Sequence, residues 1–141
     1  MRSTFIGAAL ASLLVLGVVG CQSQNARILD SEESQLELRQ IQTRAFDTTD
    51  RELMLRTIIA TLQDLGFVID KADDVLGTVT GTKLDQYKLK MTVSIRSRGE
   101  TQMLVRANAQ YNVTPVTDPE PYQQFFSALS KAIFLEANAI E

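Results

Sequence analysis

The chain has 141 residues, of which 45% are hydrophobic and 22% charged, values typical of one globular domain with short extensions. It contains no histidine, no tryptophan and a single cysteine. This composition excludes, within one chain, a zinc site of the common Cys/His type, a Ser-His-Asp or Cys-His catalytic pair and an internal disulfide. The net charge of −3 is not the basic footprint that nucleic-acid binding requires, so we expect no nucleic-acid partner.

An uncharged apolar run extends from Phe5 to Gly20, behind the positive charge of Arg2. The run has 16 residues, whereas a helix needs ~20 to cross the hydrocarbon core of a bilayer. A short apolar run that follows a basic start and ends in small residues is typical of a signal peptide. We therefore predict that residues 1–20 form a cleaved signal sequence.

The end of this run, Val18-Val19-Gly20-Cys21, resembles the lipobox of bacterial lipoproteins. Val18 stands where that family more often has leucine. The resemblance implies that Cys21 receives a diacylglycerol on its sulfur, that cleavage occurs before it, and that its new amine is acylated. Two or more acyl chains make a stable membrane anchor, whereas one chain binds only marginally.

Two alternatives to lipidation remain open, an uncleaved transmembrane helix and an ordinary signal peptide followed by an incidental cysteine. The position of the single cysteine of the chain, where the lipobox requires one, favours lipidation. Gln22 follows Cys21, and in enterobacterial lipoproteins it is aspartate at this position that favours retention in the inner membrane. The resemblance therefore implies an outer-membrane protein that faces the periplasm.

Residues 21–40 are predicted to be the lipidated cysteine and a flexible tether, because the segment is rich in Gln, Ser and Glu and poor in apolar residues. The 19 residues after Cys21 span roughly 60 Å when fully extended. The segment has room for a helical turn around Glu32–Arg39. The alternation of Leu36, Leu38 and Ile41 leaves open an earlier start of the first strand.

The first half of the globular region reads as strand, helix, strand, strand. A short strand is predicted at Ile41–Phe46, followed by a helix at about 50–65. The apolar residues of this helix recur at helical spacing, and Gly66 supplies a left-handed end. They are Leu55, Ile58, Ile59, Leu62 and Leu65. We expect Thr49 to cap its start in a capping box with Glu52.

Two further strands are predicted at Phe67–Lys71 and Val75–Leu84. The second is rich in threonine, whose β-branched shape favours strands. Its glycines, Gly77 and Gly81, indicate a bulge or a close packing contact.

The most regular pattern of the chain is a strict alternation from Tyr87 to Arg98. After the turn at Gly99, a second alternating segment runs from Gln102 to Val113. Period-two alternation predicts a long hairpin with one dry and one wet face and excludes a helix. The predicted dry positions are Tyr87, Leu89, Met91, Val93 and Ile95 in the first strand, and Met103, Val105, Ala107, Ala109, Tyr111 and Val113 in the second.

A connection that holds all three prolines leads to a last helix at about 120–138, with Asp118 as the expected N-cap and Pro119 at its first position. A broad aromatic and aliphatic stripe on this helix predicts packing across the sheet. Its members are Tyr122, Phe125, Phe126, Leu129, Ile133, Ala137 and Ile140.

The order β-α-β-β-β-β-α predicts a two-layer α+β domain over residues 41–141, an antiparallel sheet with both amphipathic helices on one face. This order resembles the helix-grip domains of envelope lipoproteins, such as the lipoprotein subunit of the barrel-assembly machinery. The segments FDTTD, LQDLGFVID and LGTVTGTK are also similar to those of small uncharacterised bacterial lipoproteins. That family has no known catalytic residues, so the resemblance implies only location and fold.

No enzymatic chemistry is indicated. Asp70, Asp73 and Asp74 form the densest acidic cluster, but they lack the ligand spacing of a calcium loop, and a solvated turn is the simpler interpretation. No pair of carboxylates or phosphate-binding glycine motif can be nominated. We predict no catalytic residue, no metal site and no cofactor.

The polar positions of the hairpin are basic. Between Lys83 and Arg106 the chain holds six basic residues and two acids, a segment charge of +4 in a chain of net charge −3. The candidate interaction residues are Lys88, Lys90, Arg96, Arg98 and Arg106, with Leu104 as an apolar member of the same face. Two interpretations stay open, a solvated face protected by charge against aggregation and an electropositive surface for an acidic partner, anionic lipid or cell-wall polymer.

The sequence therefore predicts a non-enzymatic, membrane-anchored lipoprotein that faces the periplasm and serves an envelope assembly, transport or secretion system. The alternative function is a carrier of lipid or another apolar ligand. It requires a cavity between helices and sheet, lined by residues such as Met91, Phe125 and Phe126.

Overall fold

The structure is a computed structural model that describes residues 34–139, except for the side chain of Asp85. The predicted signal sequence at 1–20, the candidate lipidation site Cys21 and residues 22–33 of the predicted tether lie outside the described residues. So does Ile140, the last member of the predicted helical stripe.

The described chain folds into an antiparallel six-stranded sheet with three helices, which confirms the predicted α+β class. The strands run in the order β1-β5-β4-β3-β2, and the short β6 also pairs with β5. Their bounds are β1 Thr43–Phe46, β2 Val68–Asp73, β3 Thr78–Asp85, β4 Tyr87–Arg98, β5 Gln102–Tyr111 and β6 Thr114–Pro115.

The β4–β5 hairpin forms the centre of the sheet, as its alternation predicts. Ten residue pairs join the two strands, from Leu89 opposite Tyr111 to Arg98 opposite Gln102. The buried positions alternate with accessible ones along both strands. The predicted dry face is wrong at one end of the hairpin, where Tyr87, Tyr111 and Val113 are exposed. Asn112, which adopts a left-handed φ of 53°, turns the chain at this end.

Helix α2 covers Arg51–Asp64 and α3 covers Glu120–Ala137, close to the predicted bounds. Asp50, not Thr49, caps α2: its Oδ1 accepts a hydrogen bond from the backbone N–H of Leu53 at 2.9 Å. The two candidates are adjacent, and an ionised carboxylate at this position also interacts favourably with the helix dipole.

Helix α3 begins at Glu120, as predicted, but its N-cap is Pro119 and not Asp118. The carboxylate of Asp118 still accepts the backbone N–H of Glu120 at 2.9 Å. Burial on α3 stops after Leu129: Ile133 is half-buried and Ala137 is exposed. The predicted stripe is therefore fully buried only over the first three turns, while Ile133 still packs against the core.

A third helix, α1, covers residues 34–41, where the sequence predicts the end of the tether and the start of the first strand. Its Leu38 and Ile41 pack against the core, and the backbone N–H of Gln42 donates to the carbonyl of Leu38 at 3.1 Å. The folded unit therefore includes residues that composition alone assigns to the tether. No helix among the described residues is long and apolar enough to cross a membrane.

The core lies between the helices and one face of the sheet, and large side chains fill it. Met91, Phe125 and Phe126 are each at most 1% exposed, and the two phenyl rings meet edge-on with centroids 5.1 Å apart. These are the residues that the ligand-carrier alternative places around a cavity. Their mutual packing favours a structural role for them instead.

Two glycines occupy crowded positions, as predicted. Gly81 lies opposite the bulge in β2, and a Cβ there would meet the Cβ of Phe67 at 3.2 Å. Gly77, in the β2–β3 turn, has a φ of +70°, and a Cβ there would lie 2.6 Å from Nη2 of Arg51. That guanidinium is held by hydrogen bonds to the carbonyls of Asp74 and Val75.

Gly77→Ala is expected to lower the free energy of unfolding by about 2–3 kcal/mol, because the left-handed backbone costs an L-residue ~1–2 kcal/mol and the methyl group displaces Arg51. Gly99→Ala is the matched control. Gly99 has a φ of +61°, but a Cβ there would meet no atom within 4 Å, so only the backbone term, about 1 kcal/mol, applies. Urea denaturation measures both, and equal losses would contradict the packing argument.

Candidate functional site

On the side of the sheet opposite the helices, β4 and β5 carry five cations, which we call the basic face: Lys88, Lys90, Arg96 and Arg98 on β4 and Arg106 on β5. On the same side of β2, at the edge of the sheet, lie Asp70, Lys71 and Asp73. Four of the five cations are exposed and Lys90 is half-buried. They share one face because they occupy the positions that alternate with the buried residues of the same strands. The structure thus brings together all five residues that the sequence nominates.

The cations form two groups along β4. Lys88 and Lys90 lie near one end of the strand, and Arg96 and Arg98 lie at the other. Residues two apart on a strand are separated by ~7 Å. Arg106 pairs with Ser94 across the hairpin, which places it beside Arg96. Leu104, half-buried and directly opposite Arg96, contributes the apolar contact predicted within this group.

Hydroxyl and amide side chains separate the two groups. Thr80 and Thr92 pair across β3 and β4, with their Oγ1 atoms 3.1 Å apart. Asn108 lies opposite Thr92 on β5 and is exposed. The face therefore offers donors and acceptors between two positive ends, a pattern that suits an extended anionic or strongly polar partner.

None of the five cations forms an ion pair with a described carboxylate. The two ion pairs within residues 34–139 join Arg56 to Glu52 on α2 and Lys71 to Asp73 on β2. No ion pair within residues 34–139 thus neutralises a charge of the basic face. Such a face attracts an anionic partner and speeds its association.

Lys83 does not belong to this face, although the sequence counts it in the same basic segment. It pairs with Leu89, a core-side residue, and its Cε would lie 3.5 Å from a Cβ at Gly66, at the end of α2. The alternation along β3 explains this placement, because Lys83 has the same parity as the buried Val79.

The acidic residues around β2 are used by the fold itself. Oδ2 of Asp70 accepts from the hydroxyl of Thr82 at 2.6 Å, and Oδ1 of Asp73 accepts from the backbone N–H of Leu76 at 2.8 Å. The carbonyl of Asp74 accepts from Arg51. Among residues 34–139 no group of three or more metal-ligating side chains converges.

A groove of about 620 Å³ runs between α2 and the β2–β3 hairpin. Its apolar wall includes Leu55, Ile59 and Val79, and its charged rim includes Arg51 and Asp73. Both rim residues are engaged in the hydrogen bonds that hold the β2–β3 turn. These two rim residues therefore serve the local structure.

No protein-family model matches the chain, and no curated protein matches it either. The functional argument therefore depends on the chain's own residues.

Proposed function

We propose that this protein is a lipid-anchored, non-enzymatic subunit of the bacterial cell envelope that binds a partner protein of an assembly, transport or secretion system through its basic face. The anchor is supported by Val18-Val19-Gly20-Cys21, and Gln22 favours the outer membrane, facing the periplasm. Cys21 is the proposed lipidation site, and its acyl chains are the membrane contact.

The observation that carries partner binding is the concentration of positive charge on β4 and β5, which no described ion pair neutralises. A sheet face that only needs solubility is well served by mixed charges. Here five cations lie on one side of two neighbouring strands and none of them forms an ion pair with a described carboxylate, in a protein whose net charge is −3. This segregation of charge supports an acidic surface on the partner as the complement.

Photocrosslinking from Asn108, in the middle of the basic face, tests this proposal in cells. A crosslinker there is expected to give a discrete protein adduct. Arg96→Glu with Arg98→Glu is expected to lower the adduct roughly tenfold or more, because placing like charges across an interface costs several kcal/mol and ~1.4 kcal/mol already changes binding tenfold.

Arg56→Glu with Lys131→Glu is the matched control, since it makes the same change of net charge on exposed residues of the helix layer. The loss of the exposed Arg56–Glu52 pair costs little stability. The control is expected to keep the adduct. An adduct that survives both double variants, or that both abolish, would contradict recognition by the basic face.

A further inference from the structure

Four large side chains are exposed at one end of the sheet, and we call them the apolar tip. They are Leu84 at 82%, Tyr87 at 64%, Tyr111 at 40% and Val113 at 87% exposure. They lie in or beside two neighbouring turns, the one between β3 and β4 and the one between β5 and β6. A cluster of this kind marks an interaction site more often than isolated surface residues do.

A backbone hydrogen bond and a contact between two tyrosine rings hold the two turns of the apolar tip together. The backbone N–H of Asn112 donates to the carbonyl of Lys88 at 2.9 Å, and the rings of Tyr87 and Tyr111 meet edge-on with centroids 6.3 Å apart. Gln86 and Asn112 both have left-handed φ angles, 55° and 53°. Backbone strain at two adjacent turns that present apolar side chains is typical of a functional site.

The charges beside the apolar tip are mainly basic on the open side. Of the three lysines between Lys83 and Lys90, Lys88 and Lys90 lie on this side, whereas Lys83 lies on the helix side. Lys88 and Lys90 continue into the basic face. Acidic side chains occur on the helix side, where Asp118 and Glu120 line a shallow pocket with Lys83 and Tyr111.

The β2–β3 turn, at the opposite end of the sheet, is acidic. Val75 and Leu76, in the β2–β3 turn, are 84% and 66% exposed, but they follow Asp73 and Asp74 directly. An anionic surface would repel the apolar residues of this turn and attract the side of the apolar tip where Lys88 and Lys90 lie. Tyrosine and lysine are also the residues that suit the boundary between headgroups and acyl chains.

We propose that the apolar tip docks on the anionic surface of the bilayer that holds the acyl anchor, with Leu84 and Val113 inserted among the headgroups and the lysines against phosphate. This inference rests on the proposed lipid anchor. Residues 22–33 span at most roughly 40 Å, and β5, with 10 residues, is about 34 Å long, so the anchor permits the tip to reach the membrane. Apolar insertion combined with electrostatic attraction gives stable attachment to a surface.

An environment-sensitive dye tests the docking in the full chain. Val113→Cys and Val75→Cys each add one thiol at a similarly exposed valine, one at each end of the sheet. The acylated proteins are reconstituted in vesicles of phosphatidylethanolamine and phosphatidylglycerol at a ratio of 3:1. The dye at position 113 is expected to shift to shorter wavelength and to be quenched by lipid-borne nitroxide, whereas the dye at 75 stays as it is in water.

Lys88→Glu with Lys90→Glu is expected to reverse most of the shift and quenching at position 113. Replacing the vesicles by ones of pure phosphatidylcholine, which carry no net charge, is expected to have the same effect. Dyes that both stay in water, or that are quenched equally, overturn the proposal. A shift at 113 that needs added cell extract overturns it in favour of a protein partner.

The number of dyes bound per chain tests the lipid anchor separately from the docking of the apolar tip, because the dye reacts with Cys21 only if its thiol is free. One dye means that Cys21 is acylated, and two mean that the anchor is refuted. If Cys21 is free, the two variants are remade with Cys21→Ser, so that each chain carries one dye, at position 113 or at position 75. Both are added to the same vesicles, and a wavelength shift with quenching at 113 but not at 75 supports docking of the apolar tip.

Discussion

Tyr122→Phe is expected to lower the free energy of unfolding by about 3 kcal/mol, although it removes a single oxygen atom. Tyr122 is fully buried, and its hydroxyl donates to the carbonyl of Val116 at 2.7 Å. The same oxygen accepts from the backbone N–H of Ala109 and from Nε2 of Gln42, each at 3.2 Å. Each buried polar group left without a partner costs ~1–3 kcal/mol.

The hydroxyl matters because it replaces a missing backbone hydrogen-bond partner on the side of β5 that faces β1 and β6. The backbone N–H of Ala107 donates to the carbonyl of Gln42, and the carbonyl of Ala109 accepts from Val116 beyond β6. Between these contacts, the N–H of Ala109 has only the hydroxyl of Tyr122 as its acceptor. One side chain from α3 therefore joins the segments before β1 and after β6 to the same side of β5.

Urea denaturation measures the effect, and Tyr87→Phe is the matched control. Tyr87 is 64% exposed, and removal of its hydroxyl is expected to change stability by less than about 0.5 kcal/mol. Gln42→Ala combined with Tyr122→Phe is expected to cost less than the sum of the single changes, because both remove the same contact. Equal destabilisation by Tyr122→Phe and Tyr87→Phe would contradict the role of the buried hydroxyl.

The regular elements of the fold are predictable from sequence because their signals are local. The alternation in β4 and β5 identifies the hairpin and the dry face, and the spacing of apolar residues identifies α2 and the first turns of α3. The hydroxyl of Tyr122 has no such signal, since its partner Gln42 is 80 positions away. Helix α1 has only a weak signal, because just two of its residues, Leu38 and Ile41, contact the core.

The basic face is predictable for the same reason as the hairpin, because alternation assigns each lysine and arginine of β4 to a side. The same rule applied to β3 places Lys83 on the helix side, with Val79. The apolar tip is not predictable in this way. Tyr111 and Val113 continue the alternation of the core, and only the turn at Asn112 shows that the core ends before them.

Cys21→Ser is expected to abolish incorporation of labelled fatty acid into the protein. The lipobox resemblance assigns the diacylglycerol to a thioether, and the chain has no second cysteine to take it. Gln24→Ser is the matched control, because it introduces the same residue three positions away and keeps the label. Persistent labelling of the Cys21→Ser chain would contradict the assignment of the anchor.

Membrane attachment is expected to be lost together with the fatty-acid label in the Cys21→Ser chain. When residues 1–20 of the Cys21→Ser chain are replaced by an ordinary cleavable leader, we expect the protein in the soluble periplasmic fraction. The loss of all acyl chains removes the apolar surface that holds it, and the apolar tip alone gives only reversible binding. Undiminished membrane retention after a wash in high salt would show that something other than Cys21 holds the protein.

The intact mass of the protein extracted from membranes tests the central claim most directly. We predict a chain that begins at Cys21 and carries the added mass of a diacylglyceryl group and one amide-linked acyl chain. A chain that begins at Met1, or a mature chain in which Cys21 has a free thiol, would contradict the account.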